Sequence, residues 1–202
     1  FVWLFGVVSL VVALPFGLFS WFSNAQQLTA QAWIAIVGSA LVHVAYSLVL
    51  QKGYRESDFS VVYPLARGTG PLFAVVGAIV VLGEAPSLLG WVGIFAILAG
   101  ILLISGTTQR LATSSSKVRS GLTWGTLTGL SIAAYTLIDG WAVKVLGISP
   151  VLYYLIGLAL RTAILALQAL RNPPGLLSQW RVNARYIVAV GVLSPLAYTL
   201  VL

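Results

Sequence analysis

Four ionisable side chains lie within long apolar stretches of this sequence: His43, Arg67, Asp139 and Arg161. Holding a charge at bilayer depth costs about 2.5–3.5 kcal/mol on insertion scales, so each such group is a functional-site candidate by default. A rise of 1.5 Å per residue puts Arg67 about 13 Å in from one end of its helix, and His43 and Arg161 about 17 Å in from the opposite side. The three then share a layer near the midplane. Two arginines and a histidine at one depth, with no acid among them, suit an anion. Guanidinium groups grip carboxylate or phosphate in bidentate fashion and keep their charge at physiological pH. The competing role for each arginine is to cap carbonyls where helices break, and Pro64 and Pro71 remove hydrogen bonds on either side of Arg67. The competing role for His43 is that of a hydrogen-bonded interior residue.

Asp139 falls about 17 residues into its helix, much nearer the far side, and is no obvious partner for either arginine. It is either a proton acceptor, since carboxylates in cavities can titrate near neutral pH, or a structural group paired with Lys144. The structural role is favoured. Tyr63 and Tyr135, with Tyr46 and Tyr198, are polar-tipped aromatics inside the spans that either contact a ligand or pack with a satisfied hydroxyl. With one histidine and no cysteine, the chain offers no thiolate site, no histidine cluster and no disulfide. No metal and no cofactor is expected.

The elements that must position these groups follow from composition. The 202 residues are 59% hydrophobic and only 7% charged, with a mean hydropathy of +1.01. A soluble globular chain carries roughly 25% charged residues. This excludes a soluble enzyme, a disordered tail and a nucleic-acid binder. A helix crosses the hydrocarbon core in about 20 residues. Six stretches qualify: Val2–Phe19, Ala32–Gln51, Phe59–Leu82, Leu88–Ile104, Leu122–Val143 and Val151–Leu170. A seventh runs from Tyr186 to the last residue, Leu202. Turn and polar signals separate them: Ser23-Asn24 with Gln26-Gln27, Gly53 to Asp58, Gly83 to Ser87, Ser114–Ser116, Gly147 to Pro150, and Asn172 to Gly175. Glu84 in the Gly83 turn reads as a helix-capping acid. The series Gly121, Gly125, Gly129 forms a small-residue face for close helix contact.

Loops on one side carry Lys52, Arg55, Arg110, Lys117, Arg119, Arg171, Arg181 and Arg185, against Lys144 alone on the other. The positive-inside rule assigns the richer side to the cytoplasm. The net charge of +7 thus reports topology, not a nucleic-acid surface.

Ala45-Tyr46-Ser47-Leu48-Val49-Leu50 recurs as Ala197-Tyr198-Thr199-Leu200-Val201-Leu202. An odd number of crossings separates the second span from the seventh, so the two copies run in opposite directions. This is the signature of an inverted-topology repeat. It divides the chain into a first repeat at 1–106 lacking its first helix, a loop at 107–120, and a second repeat at 121–202 lacking its last two helices. The sequence predicts seven of about ten helices, in a full protein of roughly 280–300 residues. The expected fold is all-α, a polytopic transmembrane bundle of inverted five-helix repeats.

The string Tyr63-Pro64-Leu65-Ala66-Arg67-Gly68-Thr69-Gly70-Pro71, the Gly83-Glu84 turn, and Gly129 to Gly140 resemble an EamA-like member of the drug/metabolite transporter superfamily. The resemblance implies a multi-pass carrier of small metabolites in the cell (plasma) membrane, with a central cavity and no enzymatic activity. It also implies both termini in the cytoplasm, whereas the loop count places a restored N-terminus outside. Both orientations stay open. On this basis Arg67, Arg161, His43, Tyr63 and Tyr135 are the substrate-binding candidates and Asp139 the candidate for proton coupling. The partners are a small-molecule substrate and the bilayer, not nucleic acid. Amino acids, other carboxylates and phosphonates are the leading substrates. A hydrophobic-drug exporter and a non-transporting scaffold are the alternatives.

Overall fold

The computed structural model describes residues 1–24, 27–83, 85–104 and 116–201. Gln26, Glu84, Arg110, Ser114, Ser115 and Leu202, each used above, lie outside the described residues. Without water, a chain in hydrocarbon must satisfy its own backbone, which drives long apolar runs into helix. Among the described residues there are seven helices and no strand: α1 (Val2–Asn24), α2 (Ala30–Glu56), α3 (Phe59–Leu82), α4 (Leu88–Ile104), α5 (Ser116–Lys144), α6 (Pro150–Ala169) and α7 (Pro173–Val201). The chain is an all-α helical membrane bundle.

Four helices, α1, α2, α3 and α6, are long and apolar enough to cross a membrane. Helix α4 is equally apolar but has 17 residues. Helices α5 and α7 have 29 residues each and begin well before the apolar segments expected at Leu122 and Tyr186. Their extra turns carry Lys117, Arg119, Arg181 and Arg185. Hydropathy marks where a helix is dry, while backbone bonding continues into the wet turns beyond. The first turn of α5 therefore lies inside the stretch 107–120 expected as a loop.

The chain divides into two compact units, Phe1–Val44 with Ile138–Leu202, and Ala45–Leu137. The divisions fall inside α2 and α5, so the second unit is one continuous stretch and the first combines the two outer segments of the sequence.

In the first unit, α1 packs on α6 and α7, and α6 packs on α7. One apolar cluster joins Ala32, Ala35 and Ile36 of α2 to Ala142, Ile148 and Tyr153. A second joins Ala13 of α1 to Tyr154 and Leu158 of α6, with Tyr198 of α7 against it. Three polar contacts tie the helices where the backbone needs help. Pro195 lacks the N–H that would reach the carbonyl of Gly191, and the Ser9 hydroxyl donates to that carbonyl instead, at 2.9 Å. The Trp3 indole N–H donates to Thr162 O at 3.1 Å. Ser20 and Ser149 share a hydroxyl bond of 2.8 Å. The turn into α6 uses Gly147 at φ 66°, a left-handed conformation that costs glycine little. Pro150 then opens α6 at a position that needs no N–H.

In the second unit, α3 packs on α4. The glycine face of α5 meets α3 closely: a Cβ added at Gly125 would lie 2.8 Å from Leu65 Cβ, and Gly121 and Gly129 face Ser57 and Thr69. Small residues let helix backbones approach in lipid, as expected for this series. Thr69 Oγ1 bonds back to Leu65 O at 2.7 Å between the two prolines of α3. At the end of α2, the Trp124 indole N–H donates to Glu56 at 2.7 Å. Lys52 pairs with Glu56 at 3.8 Å and lies 4.4 Å from the Trp124 ring.

Candidate functional site

The polar centre of the first unit is Asp139, only 1% exposed near the end of α5. A carboxylate so deep is tolerable only if its oxygens find donors. Three helices supply them. Ser39 of α2 donates to Oδ1, Tyr153 of α6 donates to Oδ1 at 2.7 Å, and Tyr198 of α7 donates to Oδ2. Tyr153 belongs to one apolar cluster and Tyr198 packs on the other, so the carboxylate links both. Asp139 thus turns to hydroxyls on other helices rather than to Lys144, the partner favoured from sequence. The local reason is supply: donors one helix away reach the carboxylate inside the fold, whereas Lys144 ends the helix.

Ser39 also positions His43 one turn later on α2. The ring Nδ1 lies 3.0 Å from Ser39 O and 3.3 Å from Ser39 Oγ. A carbonyl can only accept, so Nδ1 carries the hydrogen of that bond. The His43 ring meets Tyr198 edge-on at 6.0 Å.

Ser39, His43, Tyr153, Tyr154, Arg161 and Tyr198 wall a cavity of about 10 Å³ counted at water centres, enough for about one water. The Arg161 guanidinium lies 5.2 Å from the Tyr154 ring centre, within cation–π range. Among the described residues no carboxylate comes within ion-pair distance of it, the one ion pair being Lys52–Glu56. Tyr154 is 2% exposed, and its hydroxyl finds no hydrogen-bond partner among the described residues. A buried hydroxyl left unsatisfied costs about 1–3 kcal/mol. A guest that accepts a hydrogen bond and carries negative charge would satisfy both Tyr154 and Arg161.

Of the sequence candidates, the structure thus brings His43 and Arg161 to one cavity. Asp139 reaches its wall through Tyr153 and Tyr198, although its depth along the helix had set it apart from Arg161. Counting residues measures backbone depth and ignores the length of a tyrosine. Arg67 and Tyr63 belong to the second unit, both exposed on α3, with the guanidinium 5.7 Å from the Tyr63 ring. Tyr135 is in that unit too, edge-on to Tyr46 at 5.8 Å. Ser39, Tyr153 and Tyr154 were not singled out from sequence. The signals available were a serine one turn before His43 and a tyrosine pair just inside a helix that begins at Pro150.

The model of the EamA-like transporter family matches residues 1–106, slightly more than half of the chain. The chain belongs to this family. It is therefore a membrane transporter of the drug/metabolite transporter type, a multi-pass membrane protein with a small-molecule substrate. Members of the family are transporters and not enzymes. Neither the curated proteins nor the solved structures contain a match to this EamA-like chain. The cavity of the first unit is accordingly the candidate substrate contact of an EamA-like transporter, with Arg67 and Tyr63 a second candidate in the other unit.

Proposed function

We propose that this EamA-like protein is a secondary active or facilitative carrier of small organic metabolites bearing a carboxylate, phosphonate or amino-acid carboxyl group. It works in the plasma membrane by alternating access of two inverted repeats. The observation that carries the proposal is Arg161 without a carboxylate partner, sharing a cavity with His43 and the unsatisfied Tyr154 hydroxyl. A half-buried guanidinium within an apolar helix is retained at a cost that a passive bundle has no reason to bear, and an anionic headgroup returns that cost as bidentate hydrogen bonds. The recurrence of Ala45–Leu50 at positions 197–202 supports the inverted repeat. Arg67 and Tyr63 on α3 would form a second anion contact within the other unit.

The test is counterflow exchange in proteoliposomes of the full-length protein, with radiolabelled gluconate, alanine and methylphosphonate. Exchange of at least one of them, reduced at least tenfold by Arg161→Gln, is the expected outcome. Exchange of none, or exchange indifferent to Arg161→Gln, overturns the proposal.

A further inference from the structure

We propose that this site carries its anion together with one proton, and that the proton resides on Asp139. The inference rests on the anion role given above to Arg161 and His43. Its physical core is charge balance. Arg161 brings a positive charge to the cavity wall, and Asp139 brings a negative charge one tyrosine away, through Tyr153 and Tyr198. An anion seated on the half-buried Arg161 adds a second negative charge close to Asp139, which is itself fully buried. An uncompensated buried charge is far more costly than a neutralised one, and a carboxyl group responds by taking a proton. Ser39 of α2, Tyr153 of α6 and Tyr198 of α7 contact Asp139 directly, His43 of α2 with Tyr154 and Arg161 of α6 line the adjoining cavity, and Lys144 stands at the end of the helix that carries Asp139. Helix α1, which packs on α6 and α7, carries no ionisable side chain.

The hydrogen bonds around Asp139 accommodate both states. With Asp139 charged, Ser39, Tyr153 and Tyr198 all donate to it. A neutral carboxyl must donate once, so one hydroxyl must turn its hydrogen elsewhere and accept. Tyr153 has the place ready: its oxygen is 3.4 Å from Ala35 O, a carbonyl that takes the hydrogen when Asp139 gives its own to Tyr153. The exchange moves one rotor and no helix. Charge balances as well, because one proton from water and one monovalent anion enter as a neutral pair.

A neutral pair is insensitive to membrane voltage, and that gives the test. Full-length protein is reconstituted in liposomes with internal pyranine, and gluconate is supplied outside. Uptake is measured with and without an inside-negative potassium potential set by valinomycin, and protein-free liposomes give the leak. The expected result is internal acidification of about one proton per gluconate, with an uptake rate unchanged by the potential. Asp139→Asn should lose the acidification, and the gluconate uptake it retains should be slowed by the inside-negative potential. Wild-type uptake that is voltage-slowed and without acidification overturns proton coupling while leaving the carrier function intact. Loss of all exchange by wild type for gluconate, alanine and methylphosphonate alike removes the anion-site reading itself, and this inference with it. The wild-type measurements decide the matter even if Asp139→Asn fails to fold.

Discussion

Ser9 Oγ lies 2.9 Å from the carbonyl of Gly191, the acceptor that Pro195 leaves without its helical partner. The serine is itself only 1% exposed, so this is a bond between two groups with no access to water. It places the kink-prone part of α7 under the control of a hydroxyl on α1. Ser9→Ala orphans the carbonyl and should cost about 1–3 kcal/mol. The check is thermal unfolding in detergent, where Ser9→Thr should hold the wild-type Tm and Ser9→Ala should fall below it.

Tyr153 and Tyr154 are neighbours in sequence with opposite hydrogen-bond status. The Tyr153 hydroxyl is committed to Asp139, so Tyr153→Phe should destabilise the protein by about 1.5–3 kcal/mol, the range for a hydrogen bond to a charged group. Tyr154→Phe removes a hydroxyl with no partner in the described fold and should leave stability within about 0.5 kcal/mol of wild type or raise it. Its effect belongs in affinity: the exchange KM for the carried anion should rise several-fold. An unchanged KM would remove Tyr154 from the site.

Arg67→Gln should abolish counterflow while membrane expression stays at the wild-type level, because the guanidinium is exposed on α3 beside Tyr63 and supports no buried ion pair. Quantitative blotting of membranes alongside exchange separates the two effects. Undiminished exchange would confine the substrate contacts to the cavity of the first unit.

Gly125 of α5 admits no side chain without displacing Leu65, whose Cβ would lie 2.8 Å away. Gly125→Leu should push α3 and α5 apart and cost about 1–3 kcal/mol or more by overpacking. Proteolysis of membranes offers a direct measure, with faster cleavage expected for Gly125→Leu than for Gly125→Ala.

The helical framework was plain in the sequence because hydropathy and turn residues carry it directly. Each of the seven apolar segments became a helix, and the glycine face of α5 meets α3 as its spacing implied. Helix ends were less legible: the first turns of α5 and α7 are polar and read as loop, yet their backbones continue the helix. The site was half visible. His43, Arg161 and Asp139 stand out because ionisable residues are rare in apolar runs. What surrounds them does not: Ser39 and Tyr153 are ordinary residues until the fold points three hydroxyls at one carboxylate. Pairing Asp139 with Lys144 relied on nearness in sequence, and the stronger donors were on α2, α6 and α7.

Trp124 gives the second unit a built-in optical signal. Its indole N–H is bonded to Glu56 and its ring lies under the Lys52 ammonium, so the chromophore sits against this ion pair. Indole emission shifts with the field across the ring, and any movement of α5 along α2 would change that field. The chain has seven tryptophans. With the others replaced by phenylalanine, the colour of Trp124 fluorescence would follow the contact between these two helices through a transport cycle, without an attached dye.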